Sequence, residues 1–228
     1  PFLEAIRQFR VDVGRENVIF IHLTFVPYIS AAGELKTKPT QHSVRELMEI
    51  GIQPDVLLCR TEHKLSEEIR KKIALFTNVQ LEGVIECLDV ATIYEVPLAL
   101  KKQGLDDIVL ERLGLDTAQP DLSAWTKMVK RFKHPSAGEV RIAVVGKYTN
   151  LVDSYKSIQE ALIHGGISND VRVAIEWLSS EELDGDNHVG LLKDYHGLLI
   201  PGGFGPRGIE GMLAAVRWSR ENGIPFFG

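Results

Sequence analysis

The chain has 228 residues, 44% hydrophobic and 25% charged, which suits one large or two small globular domains with a normal core. A net charge of −5 and a pI of about 5.8 exclude a dedicated nucleic-acid binder, which carries a basic face, though not a local basic pocket. No apolar run has the length of a membrane span, no signal peptide is visible, and no His-x-x-x-His pair marks a zinc site.

The opening PFLEAIRQFR reads as a helix in mid-protein, without an initiator Met. NVIFIHLTFV (17–26), β-branched and aromatic, predicts a buried strand. TQHSVRELMEIG (40–51) sets Val44, Leu47 and Met48 at helical spacing, with Gly51 as its stop. PDVLLCR is the next strand. SEEIRKKIALF (66–76) is a helix with Ile69, Ile73 and Phe76 on one stripe and Ser66 as its cap. EGVIECLDV is a third strand, and the βαβαβ order favours a parallel sheet covered by helices. Cys59 and Cys87 each sit in an apolar run and read as buried free thiols, as in a reducing compartment.

Residues 92–134 break the rhythm with short helices. The last of them places Leu122, Trp125, Met128, Val129 and Phe132 on one face and reads as a connector docked on a neighbouring domain. After the polar HPSAGE, VRIAVVGKY (140–148) opens a second domain as a strand ending in a glycine turn. DSYKSIQEALIHGG (153–166) follows as a helix capped by Asp153 and closed by Gly165 and Gly166. VRVAIEW is a strand, YHGLLIPGGFG a strand running into a glycine turn, and IEGMLAAVRWSRENG a helix. IPFFG begins another buried strand, where the sequence stops. Both ends look cut, and the expectation is a piece of a longer protein.

Two stretches carry chemistry. In GELKTKPTQHS (33–43), an extended chain would point Lys36 and Lys38 to the same side, where both could reach one anion, with Thr40 and Gln41 as neutral donors beside them. The same residues also suit a solvated loop with two surface lysines. In LLIPGGFG, Gly202, Gly203 and Gly205 follow the carboxyl end of a strand, where open α/β sheets bind ligands. Bare N–H groups there could stabilise an oxyanion, or the glycines could simply make a tight turn.

Taken together, GELKTKPTQHSVRELMEIGIQPDVLLCR, KKIALF, RIAVVGKY, DSYKS and IPGGFGPRGIEGM resemble the CTP synthase family over essentially the whole chain. The resemblance implies an α/β protein. A parallel-sheet, P-loop-type synthetase (amidoligase) domain resembling dethiobiotin synthetase precedes a flavodoxin-like class I glutaminase domain, both incomplete here. Residues 1–116 would be the end of the synthetase, 117–138 an interdomain linker with a helix, and 139–228 the start of the glutaminase. The implied enzyme is a cytoplasmic ligase in which ATP phosphorylates O4 of UTP and ammonia from glutamine displaces the phosphate to give CTP. Mg²⁺ is its cofactor, GTP its activator and CTP its inhibitor. It works as a homotetramer that can stack into filaments, without nucleic acid or membrane.

Residue by residue, KTKPTQ matches the UTP/CTP triphosphate loop, with Lys36, Lys38 and Gln41 as phosphate contacts and Thr37, Pro39 and Thr40 shaping it. Lys72 matches a lysine that a neighbouring subunit adds to the same triphosphate. Leu88, Asp89 and Val90 match the segment beside the ATP adenine. Gly203, with Gly202 beside it, matches the glutamine-binding oxyanion position. The family's P-loop and Mg²⁺ carboxylates lie upstream of Pro1, and its nucleophilic cysteine, in a glycine-flanked elbow, beyond Gly228. The 228 residues are therefore expected to be inert alone. Two other readings share these features: another amidoligase with a fused glutaminase, and a non-catalytic nucleotide-sensing filament subunit.

Overall fold

The computed structural model describes residues 1–116, 118–149, 151–183 and 189–228. The chain divides into two compact units, Pro1–Leu122 and Ser123–Gly228.

The first unit opens with helix α1 (Phe2–Val13) and strand β1 (Ile21–Phe25). A short hairpin of β2 (Tyr28–Ile29) and β3 (Glu34–Leu35) leads into α2 (Lys38–Glu49). Then come β4 (Val56–Thr61), α3 (Glu67–Thr77), β5 (Val84–Leu88), α4 (Val96–Lys102) and α5 (Leu105–Arg112). The strands pair in the order β1-β4-β5, all parallel, with Ile21 opposite Val56 and Leu57 opposite Val84. Val44, Leu57, Ile73 and Val84 form its core, where α2 and α3 pack on the sheet.

The second unit holds α6 (Ser123–Lys133), β6 (Glu139–Gly146), α7 (Lys156–Asn169), β7 (Arg172–Ser179), β8 (Gly197–Leu199), α8 (Ile209–Asn222) and β9 (Phe226–Phe227). Its sheet is also parallel throughout, in the order β7-β6-β8-β9. Ala143, Val145, Leu183, Leu192, Leu198 and Ala215 form its core. Helix α6 packs on α7 inside this unit, with Val129 buried.

Several elements differ from the sequence reading. Helix α2 starts at Lys38, two residues early, because Pro39 in its first turn has the φ a helix needs and no N–H to waste. Thr37 is already in the right-handed helical region, at φ −89° and ψ −11°. The Lys36–Lys38 segment is therefore not extended, and the two lysines do not share a face by strand alternation. Strand β1 is not a buried strand. It lies at the sheet edge and only Thr24 is buried, while Leu23 is 63% exposed. Edge strand β9 is likewise exposed at both of its residues. Of the two thiols, Cys59 is buried and Cys87 only half-buried.

Gly165 and Gly166 do not close α7, which runs on to Asn169 and ends on Asp170 at φ 58°. Gly166 is there for packing. A Cβ on it would lie 2.7 Å from Val173 Cγ2 and 2.8 Å from the Val171 carbonyl, so helix and strand could not approach. Nor does Asp153 cap this helix, since a 3₁₀ turn over Val152–Tyr155 precedes it.

Candidate functional site

In the first unit, two cavities flank the start of α2. One, of about 700 Å³, lies at the carboxyl ends of β1 and β4 and is lined by Phe25, Pro39, Ser43, Arg60, Glu62 and Asp89. This is where parallel α/β sheets place ligands, because the strand ends and following loops open there. The other, of about 460 Å³, is lined by Gly33, Glu34, Thr37, Ser66, Glu68 and Lys72. The segment from Lys36 to Gln41 thus has one residue, Thr37, on one cavity and another, Pro39, on the other.

Within that segment the roles divide. Lys36 and Lys38 are exposed, and so is Lys72. Lys36 is paired with the Glu34 carboxylate. That hydrogen bond and charge hold the Glu34 carboxyl below its ordinary range, and the Lys72 charge adds to the effect. Thr37 and Gln41 are bound to each other, with the Gln41 side-chain amide donating to the Thr37 hydroxyl at 3.0 Å. Thr40 is fully buried. It donates to the Phe25 carbonyl at 3.0 Å and accepts from the Thr24 hydroxyl at 3.1 Å. Its hydroxyl therefore fastens the first turn of α2 to the end of β1 and is not turned toward an external anion. Of the adjacent lysines on α3, Lys71 is engaged by Glu67 at 2.6 Å, whereas Lys72 lines the second cavity.

Leu88 ends β5 and is half-buried, while Asp89 and Val90 are exposed just beyond it. Asp89 faces Arg60 from the adjacent strand, with Nε and Oδ1 3.3 Å apart. Reasoning from the sequence passed over Arg60, Glu62 and Ser43. The signal for Arg60 was present, since it nearly ends a strand beside the strand that runs into Asp89. Ser43 comes to the cavity through α2 and is bonded to His22 Nε2 at 2.7 Å. Burial lowers the His22 pKa from its ordinary 6.5.

In the second unit, the turn from Gly202 to Pro206 follows β8 and is exposed along its whole length. Gly203 does not have a positive φ; Gly205 does, at +79°. What Gly203 meets is Lys147: a Cβ there would lie 3.2 Å from Lys147 Cδ. Nothing lies within 4 Å of a Cβ at Gly202. Among the described residues, no group of three or more His, Cys, Asp or Glu side chains is placed to hold a metal ion. No helix among them is long and apolar enough to cross a membrane.

Two family models match the sequence. The CTP synthase N-terminus matches residues 1–115, and the class I glutamine amidotransferase matches residues 150–228. Curated relatives align over the whole chain. The CTP synthase of Geobacter metallireducens is 57% identical and that of Syntrophus aciditrophicus 58%. The CTP synthase of Methanocaldococcus jannaschii is 56% identical. The chain spans 42% of the length of the first two and 43% of the third. Among solved structures, the Trypanosoma brucei CTPS glutaminase domain with bound acivicin is similar at 43% identity and a TM-score of 0.37. The match covers 39% of this chain and 35% of that one.

Proposed function

Because the chain belongs to the CTP synthase family, we propose that the protein carrying it aminates UTP to CTP, using ATP and ammonia released from glutamine. The observation that carries this reading is the cationic segment Lys36–Gln41, set at the carboxyl end of a parallel sheet between two cavities. The cavity lined by Thr37 and Lys72 takes the triphosphate of UTP, or of CTP as inhibitor, with Lys36, Lys38 and Gln41 as further contacts. The cavity lined by Arg60 and Asp89 takes ATP, whose adenine lies against Leu88, Asp89 and Val90. Glu34 gives way as the nucleotide enters, because phosphate oxygens compete for the ammonium of Lys36. Each charge-assisted hydrogen bond formed is worth roughly 1.5–3 kcal/mol.

In the second unit, the backbone at Gly203, supported by Gly202, stabilises the oxyanion formed when glutamine is attacked. Mg²⁺ belongs to the same reading as the ion that accompanies ATP. The described residues form no group of three or more His, Cys, Asp or Glu fit to hold it. GTP as activator, a homotetramer whose neighbouring subunit supplies a lysine such as Lys72, filament stacking and a cytoplasmic setting complete the reading.

The test is CTP formation by the full-length protein from UTP, ATP and Mg²⁺, with either glutamine or ammonia as nitrogen donor. CTP from both donors is the expected result. No CTP from either donor overturns the reading.

A further inference from the structure

Strand β6 ends at Gly146, and Lys147 follows it at once. An ammonium is costly to bury without partners, yet Lys147 is only 7% exposed. Its Nζ donates to the carbonyl of Phe204 at 3.1 Å and also to the carbonyl of Gly205. Its methylene stem fills the space where Gly203 lacks a side chain. Head and stem together grip three successive residues of the exposed glycine turn.

Lys147 is itself held firmly. The N–H groups of Lys147 and Tyr148 both donate to the Tyr155 hydroxyl at 3.2 Å, and the Tyr155 ring stacks on Trp177 at 5.6 Å. Arg207 donates to the Lys147 carbonyl while pairing with Glu181 at 2.7 Å. Among the described residues, the N–H groups of Gly202, Gly203, Phe204 and Gly205 make no backbone hydrogen bond. They are open donors on a loop two of whose carbonyls, those of Phe204 and Gly205, are tied down by the ammonium.

We propose that Lys147 is a positioning residue for glutamine hydrolysis, fixing the Gly203–Gly205 turn so that its free N–H groups are preset for an oxyanion. This rests on the glutaminase reading above. In a trans peptide the N–H points opposite its carbonyl. With the Phe204 carbonyl drawn to the ammonium, the Gly205 N–H faces the other way. The partners of Nζ are neutral carbonyls, so the positive charge beneath the turn stays uncompensated by them and favours an anion above it. Without the ammonium, two carbonyls lose their donor and the turn is free to reorient. Oxyanion stabilisation depends on donors fixed before the reaction, so the rate falls even though no substrate contact is removed.

The test is Lys147→Met in the full-length protein, which keeps the stem and removes the ammonium. Glutamine-dependent kcat is expected to drop about tenfold or more, with little change in KM for glutamine, while the ammonia-dependent rate stays within about twofold. Hydrogen exchange of the peptide covering the turn is expected to quicken. A loss confined to KM, an equal loss with both nitrogen donors, or an unchanged glutamine-dependent kcat each overturns the proposal. The wild type separates this from the broader reading. A wild type that makes no CTP from glutamine overturns the glutaminase reading, and this proposal with it. A glutamine-active wild type beside an unaffected variant overturns this proposal alone.

Discussion

Lys36 and Lys38 stand two positions apart in the chain but in different settings, because Thr37 turns the backbone into α2 between them. Lys36 has a carboxylate partner in Glu34, whereas Lys38 stands exposed in the first turn of a helix, where the backbone dipole adds positive potential. Lys36→Ala and Lys38→Ala should each weaken UTP and CTP together by about ten- to a hundredfold, the equivalent of one lost charge-assisted contact. Titration calorimetry with both nucleotides measures it, and unchanged affinities in both variants would remove the lysines from the site. His22 supplies a pH prediction. Its folded pKa lies below 6.5 because burial penalises the charged ring. Below 6.5 the unfolded chain binds the proton more readily than the folded one. The stability His22 contributes is thus fully present above 6.5 and is lost as the pH falls through the lower folded value. Thermal melts from pH 7.5 down to 5 should show a decline that His22→Gln reduces; an identical decline in both proteins would assign it to other groups.

At the scale of elements, α3 starts where Ser66 accepts a hydrogen bond from the Ile69 N–H at 3.2 Å. Removing that acceptor leaves an N–H of the first turn unsatisfied, so Ser66→Ala should cost about 1 kcal/mol. Because α3 also carries Lys72 to the second cavity, fraying its first turn should weaken nucleotide binding slightly as well. Denaturant titration checks the stability, and no change would mean that water replaces the cap. The α7–β7 contact is stricter. Gly166→Ala forces a methyl group against Val173 Cγ2 and the Val171 carbonyl. Backbone cannot yield as a side-chain tip can, so the variant should lose about 1–3 kcal/mol. A melt within one degree of the wild type would show that the helix can ride up on the sheet without penalty.

For the whole molecule, assembly is tested through Lys72. Lys71 is satisfied within its own helix by Glu67, and Lys72 is left lining a cavity together with Thr37 and Glu34 of the same chain. If a partner subunit's Lys72 reaches this triphosphate, nucleotide binding and assembly are linked, and each promotes the other. Sedimentation velocity of the full-length protein should show UTP driving tetramers in the wild type and doing so less well in Lys72→Ala. The same UTP-driven shift in both would place the lysine's effect within one chain. The exposed apolar residues of β1, with Leu23 at 63%, are the other whole-molecule feature. Among the described residues one face of this edge strand is uncovered, which local pattern cannot foresee.

The sequence by itself determined most of the elements and their order, the short β2–β3 hairpin apart. Apolar runs of strand length, helical stripes such as Ile69 and Ile73, and the Ser66 cap act over a few residues and need no distant partner. It also carried the motifs KTKPTQ and PGGFG, whose matches to a family depend on residue identity alone. Only the tertiary structure decided which side chains face which. Thr40 turns inward because Phe25 and Thr24 lie beneath it, and Arg60 meets Asp89 because β4 and β5 pair in one register. Gly203 lies against the stem of Lys147, 56 positions earlier in the chain, where a Cβ would sit 3.2 Å from the Lys147 Cδ. These are contacts between segments far apart in sequence. They arise from burial and strand pairing across the whole unit, which no local window of residues encodes.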